Sequence, residues 1–157
     1  MDKKRPPSPS SLEDPRRLPV LLRRAWYGLN QAFRRRIAHT RCTPDQFTVL
    51  RNLSEAHPQG LTQAQLTRAM SSDPNTIASL VGRMERLHLL SRHPDPVDRR
   101  ARRLLLTGSG QERFDELRRI AQQLQTEMLS ALPPTARQQF LAQLEQVAHA
   151  CRDAAES

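Results

Sequence analysis

Cysteine is scarce in this chain, and so are glycine and the aromatic residues. Cys42 and Cys151 are its two cysteines, far apart in sequence, so a disulfide scaffold is excluded and a reducing compartment suits the protein. Glycine occurs 5 times and leucine dominates the apolar set, which favours an aliphatic helical core over a sheet. The charged, proline-rich opening MDKKRPPSPSS is followed by no apolar run, so neither a secretory signal nor a transmembrane helix is expected. The glycines form neither a P-loop nor a dinucleotide-binding turn, and no serine or cysteine nucleophile motif is present. His39, His57, His88, His93 and His149 lack close metal-ligand spacing. These absences describe a cytoplasmic protein that is not an enzyme and needs no cofactor or metal.

What the sequence does contain is positive charge. Its 157 residues include 25 Lys and Arg against 16 Asp and Glu, a formal net charge of +9, with the acids dispersed rather than gathered in a tail. Such a field favours an anionic partner, nucleic acid ahead of an anionic membrane. The length suits one domain, or one whose long terminal helices are shared with a partner.

Residues 1–14 hold prolines and serines with little to bury, and are expected to be a disordered basic arm carrying Lys3, Lys4 and Arg5. From Pro15 to His39 the spacing of Leu18, Leu22, Ala25, Leu29, Ala32, Phe33 and Ile37 predicts a helix too long for a small domain to cover alone. Thr43, Pro44 and Gln46 form a capping-box signature for a second helix, which HPQG at 57–60 ends; Thr62 and Gln65 form another. The short third helix is expected to turn Leu66, Ala69 and Met70 inward. Asp73 as cap and Pro74 behind it predict a fourth helix to about His88, with Ile77, Leu80, Val81, Met84 and Leu87 buried. Short strands are expected at 89–93 and 102–106 around a turn-rich tip, PDPVDRRA. Thr107 then opens a helix carrying Phe114, Leu117, Ala121, Leu124 and Met128, and after Pro133 and Pro134 a last helix runs from Thr135 to about Ala154, with Cys151 packed on its apolar face.

Helices at 62–70 and 73–88 stand as close as a helix-turn-helix requires. Burying the apolar stripe of the second turns Asn75, Thr76, Ser79, Arg83 and Arg86 outward, small polar groups first and long cations after them, an order suited to base edges and phosphates. Gly82, costly inside a helix, suggests close approach of a duplex backbone. Between Arg92 and Arg103 the hairpin packs five arginines. Asp98 is expected to orient an arginine fork at the tip, holding it extended for a minor groove or phosphate.

The run DPVDRRARRLLLTGSG resembles the wing of the MarR family of bacterial winged-helix regulators: Asp98, a spacer, Arg100, an apolar run to Leu106 and Thr107, then Gly110. The resemblance extends from about Leu18 to Val147, and TPDQFTVL at 43–50 is similar to the family's second-helix segment. It implies a mainly α winged helix-turn-helix fold, with residues 15–154 as one domain, 43–106 as its winged core, and 15–39 plus 108–154 as dimerisation helices. It also implies a homodimer on a pseudo-palindromic double-stranded operator, mostly as a repressor, seated on the nucleoid when bound. Asn75, Thr76, Ser79 and Arg83 fall on the family's recognition-helix positions and Arg100 on its wing arginine, which implies Arg100 in the minor groove and Arg99, Arg102 and Arg103 on phosphate. Where many members have a glycine after that helix, this chain has His88. Release by a small aromatic or phenolic effector is a further implication, with Trp26, Tyr27 and His39 as candidates to line its cleft, while Phe33 and Phe47 read as core. Cys42, beside Arg41, stands open as an oxidant sensor, although the family's peroxide sensors carry that cysteine in the first helix. The alternative to DNA binding is a protein-interaction module whose basic hairpin binds an acidic partner or an anionic surface.

Overall fold

The computed structural model describes residues 17–157; the expected disordered arm and the helix start at Pro15 lie outside them. Helix α1 covers Arg17–Ile37 and passes through a 3-10 turn at Ala38–Thr40 before α2, Pro44–Glu55. Strand β1 (Leu61–Thr62) leads into α3 (Gln63–Ala69), α4 (Pro74–Arg86), and the hairpin β2 (Leu90–Pro94) and β3 (Arg102–Leu106). Helices α5 (Gly108–Leu129) and α6 (Pro134–Glu156) complete the chain. The fold is mainly α with a small antiparallel sheet, as expected. Among the described residues no helix is long and apolar enough to cross a membrane.

By contact density the chain divides after Phe114 into two compact units. In the first, Phe33 and Ile37 of α1, Val49, Leu50 and Leu53 of α2, Leu66 of α3, and Ile77, Leu80, Val81 and Met84 of α4 are buried with Leu104 of the sheet. Phe47 sits between Phe33 and Phe114, its ring centroid 5.1 Å from one and 5.9 Å from the other. Of the two aromatic residues read as core, Phe33 is buried and Phe47 is half-buried. In the second unit Leu117 and Leu124 are buried, Ala121 is half-buried and Met128 is exposed. Helix α6 buries no residue, so Phe140, Leu141, Leu144 and also Cys151 are exposed, contrary to the packed position expected for that cysteine.

Local chemistry fixes the helix boundaries. Thr43 accepts the Gln46 amide at 3.2 Å while the Gln46 side chain accepts the Thr43 amide at 3.0 Å, and Thr62 and Gln65 repeat the exchange. The hairpin register pairs Leu90 with Leu106 and Pro94 with Arg102, one residue later in the first strand than expected. The sequence reading missed β1, a two-residue strand that pairs with β3 and makes the sheet order β1-β3-β2. Two expected core positions also move outward. Ala69 is exposed, and Leu87 is 56% exposed because α4 stops at Arg86 and Leu87 is already its cap.

That stop is a Schellman turn. The His88 amide donates to the Glu85 carbonyl at 2.9 Å and the Leu89 amide to the Met84 carbonyl at 3.0 Å, with His88 at φ 57°. The same motif at Ser71, φ 48°, closes α3: the Ser71 and Ser72 amides donate to the Arg68 and Thr67 carbonyls. After β3, Thr107 ties the next helix to this junction, donating its hydroxyl to the His88 carbonyl and accepting the Gly110 amide at 3.0 Å. A Cβ on Gly110 would fall 1.9 Å from the Leu89 carbonyl oxygen, so this position needs glycine. A left-handed histidine is strained where glycine is not. His88→Gly is expected to raise stability by on the order of 1 kcal/mol, read as a higher midpoint in thermal or urea unfolding.

Candidate nucleic-acid interface

The recognition face begins with the cap of α4. Asp73 Oδ1 accepts the Thr76 amide at 2.9 Å, and its second oxygen accepts the Thr76 hydroxyl. The side-chain bond from Thr76, followed by the Thr76 amide, holds the Asp73 carboxyl below its ordinary range. With Ile77, Leu80, Val81 and Met84 buried, Asn75, Thr76, Ser79, Arg83 and Arg86 are all exposed on the opposite face. A Cβ added at Gly82 would meet nothing within 4 Å, so packing inside the chain does not demand glycine there.

The wing is held by a carboxylate that the sequence reading passed over. Asp95 is 6% exposed. Its Oδ1 accepts the amides of Val97 at 2.8 Å and Asp98 at 2.9 Å, and its Oδ2 accepts Arg103 Nε at 2.6 Å. The Asp98 and Val97 amides, then the Arg103 guanidinium, hold the Asp95 carboxyl below its ordinary range against the opposing effect of burial. Asp98, expected to orient an arginine fork, instead accepts the backbone amide of Arg100 at 2.9 Å and so shapes the turn. The orienting carboxylate is Asp95. A signal for it was present, because Asp followed by Pro at a turn start is the pattern for a carboxylate that accepts the amide two residues on.

The arginines of the hairpin divide into two sets. Arg99, Arg100 and Arg102 are exposed around the tip. Arg103, expected on phosphate, turns inward: besides Asp95 it reaches the carbonyls of Gln59 and Gly60, each at 3.3 Å. Arg92 donates to Glu85 of α4 at 3.0 Å and to Gln63 of α3 at 3.3 Å, tying the first wing strand to both helices of the helix-turn-helix. These two inward arginines fix where the three outward ones stand.

Elsewhere, Trp26 and Tyr27 are 67% and 66% exposed on α1, and His39 is exposed in the 3-10 turn after it. Cys42 is half-buried, its amide donating to Thr40 Oγ1. Among the described residues no group of three or more His, Cys, Asp or Glu side chains is placed to hold a metal ion.

Because the folded value of Asp95 lies below the unfolded one, its contribution to wing stability is complete above the ordinary carboxylate range and is lost as pH falls through the folded value. A carbon-detected titration of its carboxyl is expected to give a midpoint below 3.8, with the Val97 and Asp98 amide shifts moving together with it. A midpoint at or above 3.8 contradicts this account of the wing.

Comparison with known proteins agrees with this geometry. The MarR family model matches residues 43–101, from the cap of α2 to the wing tip. The HTH-type transcriptional repressor NicR of Pseudomonas putida is 31% identical over 129 residues, which span 79% of this chain and 80% of NicR. Among solved structures, BpsR of Bordetella bronchiseptica, whose DNA binding is regulated by 6-hydroxynicotinic acid, is 25% identical, with a TM-score of 0.75 over 90% of this chain and 98% of BpsR. MepR of Staphylococcus aureus in complex with DNA shares the fold at 24% identity, with a TM-score of 0.75 over 83% of this chain and 96% of MepR. With the helix-turn-helix, its exposed polar face and the arginine wing in place, the chain belongs to the MarR family of winged-helix, DNA-binding transcriptional regulators.

Proposed function

We propose that the protein is a homodimeric repressor that lays α4 in the major groove of each half of a pseudo-palindromic operator and Arg100 of each wing in the flanking minor groove. The observation that carries this reading is the outward face of α4, where Asn75, Thr76, Ser79 and Arg83 are exposed in the same compact unit as the exposed Arg99, Arg100 and Arg102. Arg86, Arg99 and Arg102 act on phosphate, and Arg103 positions the wing. Such contacts give affinity; the polar face of α4 gives sequence choice. The protein works by binding rather than catalysis, in the cytoplasm, where its operator lies.

Dimerisation is supported by apolar surface that the chain leaves uncovered. Leu18, Leu21, Leu22 and Leu29 of α1 are exposed, as are Phe140, Leu141 and Leu144 of α6. Long amphipathic stripes of this kind are buried by a partner when they are not buried within the chain. Residues 15–39 and 108–154 are in this reading the dimerisation helices, and a second copy covers their apolar faces. Release by a small aromatic effector is supported by the two exposed aromatic residues of α1, Trp26 and Tyr27, with His39 nearby in sequence, and by the regulation of BpsR by a heteroaromatic acid.

Selection of bound duplexes with purified protein is expected to yield a two-fold symmetric site, bound as a dimer with strong salt dependence. Arg83→Ala should weaken that site by about 10- to 100-fold while changing binding to random duplex far less. An equal loss on every sequence would make Arg83 a phosphate clamp, and a library with no preferred duplex would favour an acidic protein partner instead. Gly82→Ala separates folding from binding. It should stabilise the free protein by up to about 1 kcal/mol, as an alanine does in a helix interior, yet lower operator affinity, because its Cβ stands where the duplex approaches.

A further inference from the structure

The cap of α4 determines the hydrogen-bond polarity of one side chain on the recognition face. Asp73 Oδ1 takes the Thr76 amide and Oδ2 takes the Thr76 hydroxyl. A carboxylate accepts and cannot donate, so the direction of the second bond is forced: the hydroxyl hydrogen of Thr76 points inward, to Asp73. Asp73 is a carboxylate across the neutral range, as an ordinary aspartate is, and these same bonds lower its pKa further. A threonine has one hydroxyl hydrogen. With it committed, exposed Thr76 offers a partner only the lone pairs of Oγ1 and its methyl group.

Toward the middle of the major groove the four bases divide by this property. Adenine N6 and cytosine N4 carry amino hydrogens, while guanine O6 and thymine O4 are acceptors. An outward lone pair meets an amino hydrogen favourably and a keto oxygen unfavourably. We infer that Thr76 is a specificity-determining residue that selects adenine or cytosine over guanine or thymine at one position of each half-site, and that Asp73 sets this preference without touching DNA. The inference rests on the reading of α4 as the helix in the major groove.

Substituting the cap reverses the logic. In Asp73→Asn the amide oxygen must stay toward the Thr76 backbone N–H, which places the amide NH2 against the Thr76 hydroxyl oxygen. The hydroxyl then receives a hydrogen bond and its own hydrogen is released outward, toward a keto oxygen. Asparagine caps a helix as well as aspartate, so the helix start is retained.

The test is selection from a random duplex library by the full-length protein and by its Thr76→Val, Thr76→Ser and Asp73→Asn variants, with thermal melting as the check on folding. The wild type is expected to enrich adenine or cytosine at one position per half-site. Thr76→Val, nearly isosteric but without the oxygen, should lower that preference about fivefold, the value of one hydrogen bond. Thr76→Ser should keep it, and Asp73→Asn should shift the same position toward guanine or thymine. Overall affinity is not the readout, since removing a negative charge raises binding to every duplex. The assignment falls if Thr76→Val or Asp73→Asn reproduces the wild-type motif, or if the position that Thr76→Val relaxes is guanine or thymine in the wild type. A wild type that enriches no motif overturns instead the proposed mode of DNA reading on which the inference rests.

Discussion

A carboxylate shielded from water is costly unless its lone pairs are answered, and the Asp95 carboxylate accepts two amides and a guanidinium. Much of the wing's order follows from that requirement. The two amides close the turn at the tip, and the guanidinium belongs to Arg103, whose other nitrogen reaches back to the carbonyls of Gln59 and Gly60 ahead of β1. The hairpin is thereby fastened near its tip both to its own second strand and to the segment that leads into α3. Arg92 adds the complementary tie from the first strand to Glu85 and Gln63. An arginine-rich loop that would otherwise be a solvated brush becomes a braced bracket with three exposed cations at its end, Arg99, Arg100 and Arg102, none of them in an ion pair with another described residue.

Features set by neighbours in sequence were legible before any coordinates. The capping residues Thr43, Thr62 and Asp73 each sit where expected, because a cap needs only a side-chain oxygen and an amide three residues on. The buried stripe of α4 was legible for the same reason, up to Met84. It failed at Leu87 because periodicity carries no information about where a helix ends, and a left-handed histidine gives no composition signal of the kind a glycine would. Strand β1 was invisible at two residues: its existence depends on β3, some forty positions away.

The candidate site was legible as a set of residues but not as a division of labour. Five arginines look equivalent in a string. Only the pairing of strands shows that Arg103 faces His93 across the sheet while its guanidinium reaches Asp95, and that Arg92 lies within reach of α4. The exchange of roles between Asp95 and Asp98 has the same origin. Both are acids in one short loop, yet one is enclosed by the turn it forms and the other is left at its rim.

The Schellman turns at Ser71 and His88 bracket α4 on both sides, and with the Asp73 cap they fix its rotation by contacts that involve none of its outward residues beyond Thr76. The side chains of Asn75, Ser79 and Arg83 form none of these contacts. A helix arranged in this way can exchange its reading surface while its seat is conserved, so operator preference in such a protein can drift over generations without a passage through unfolded variants. The frame and the text it presents are inherited separately.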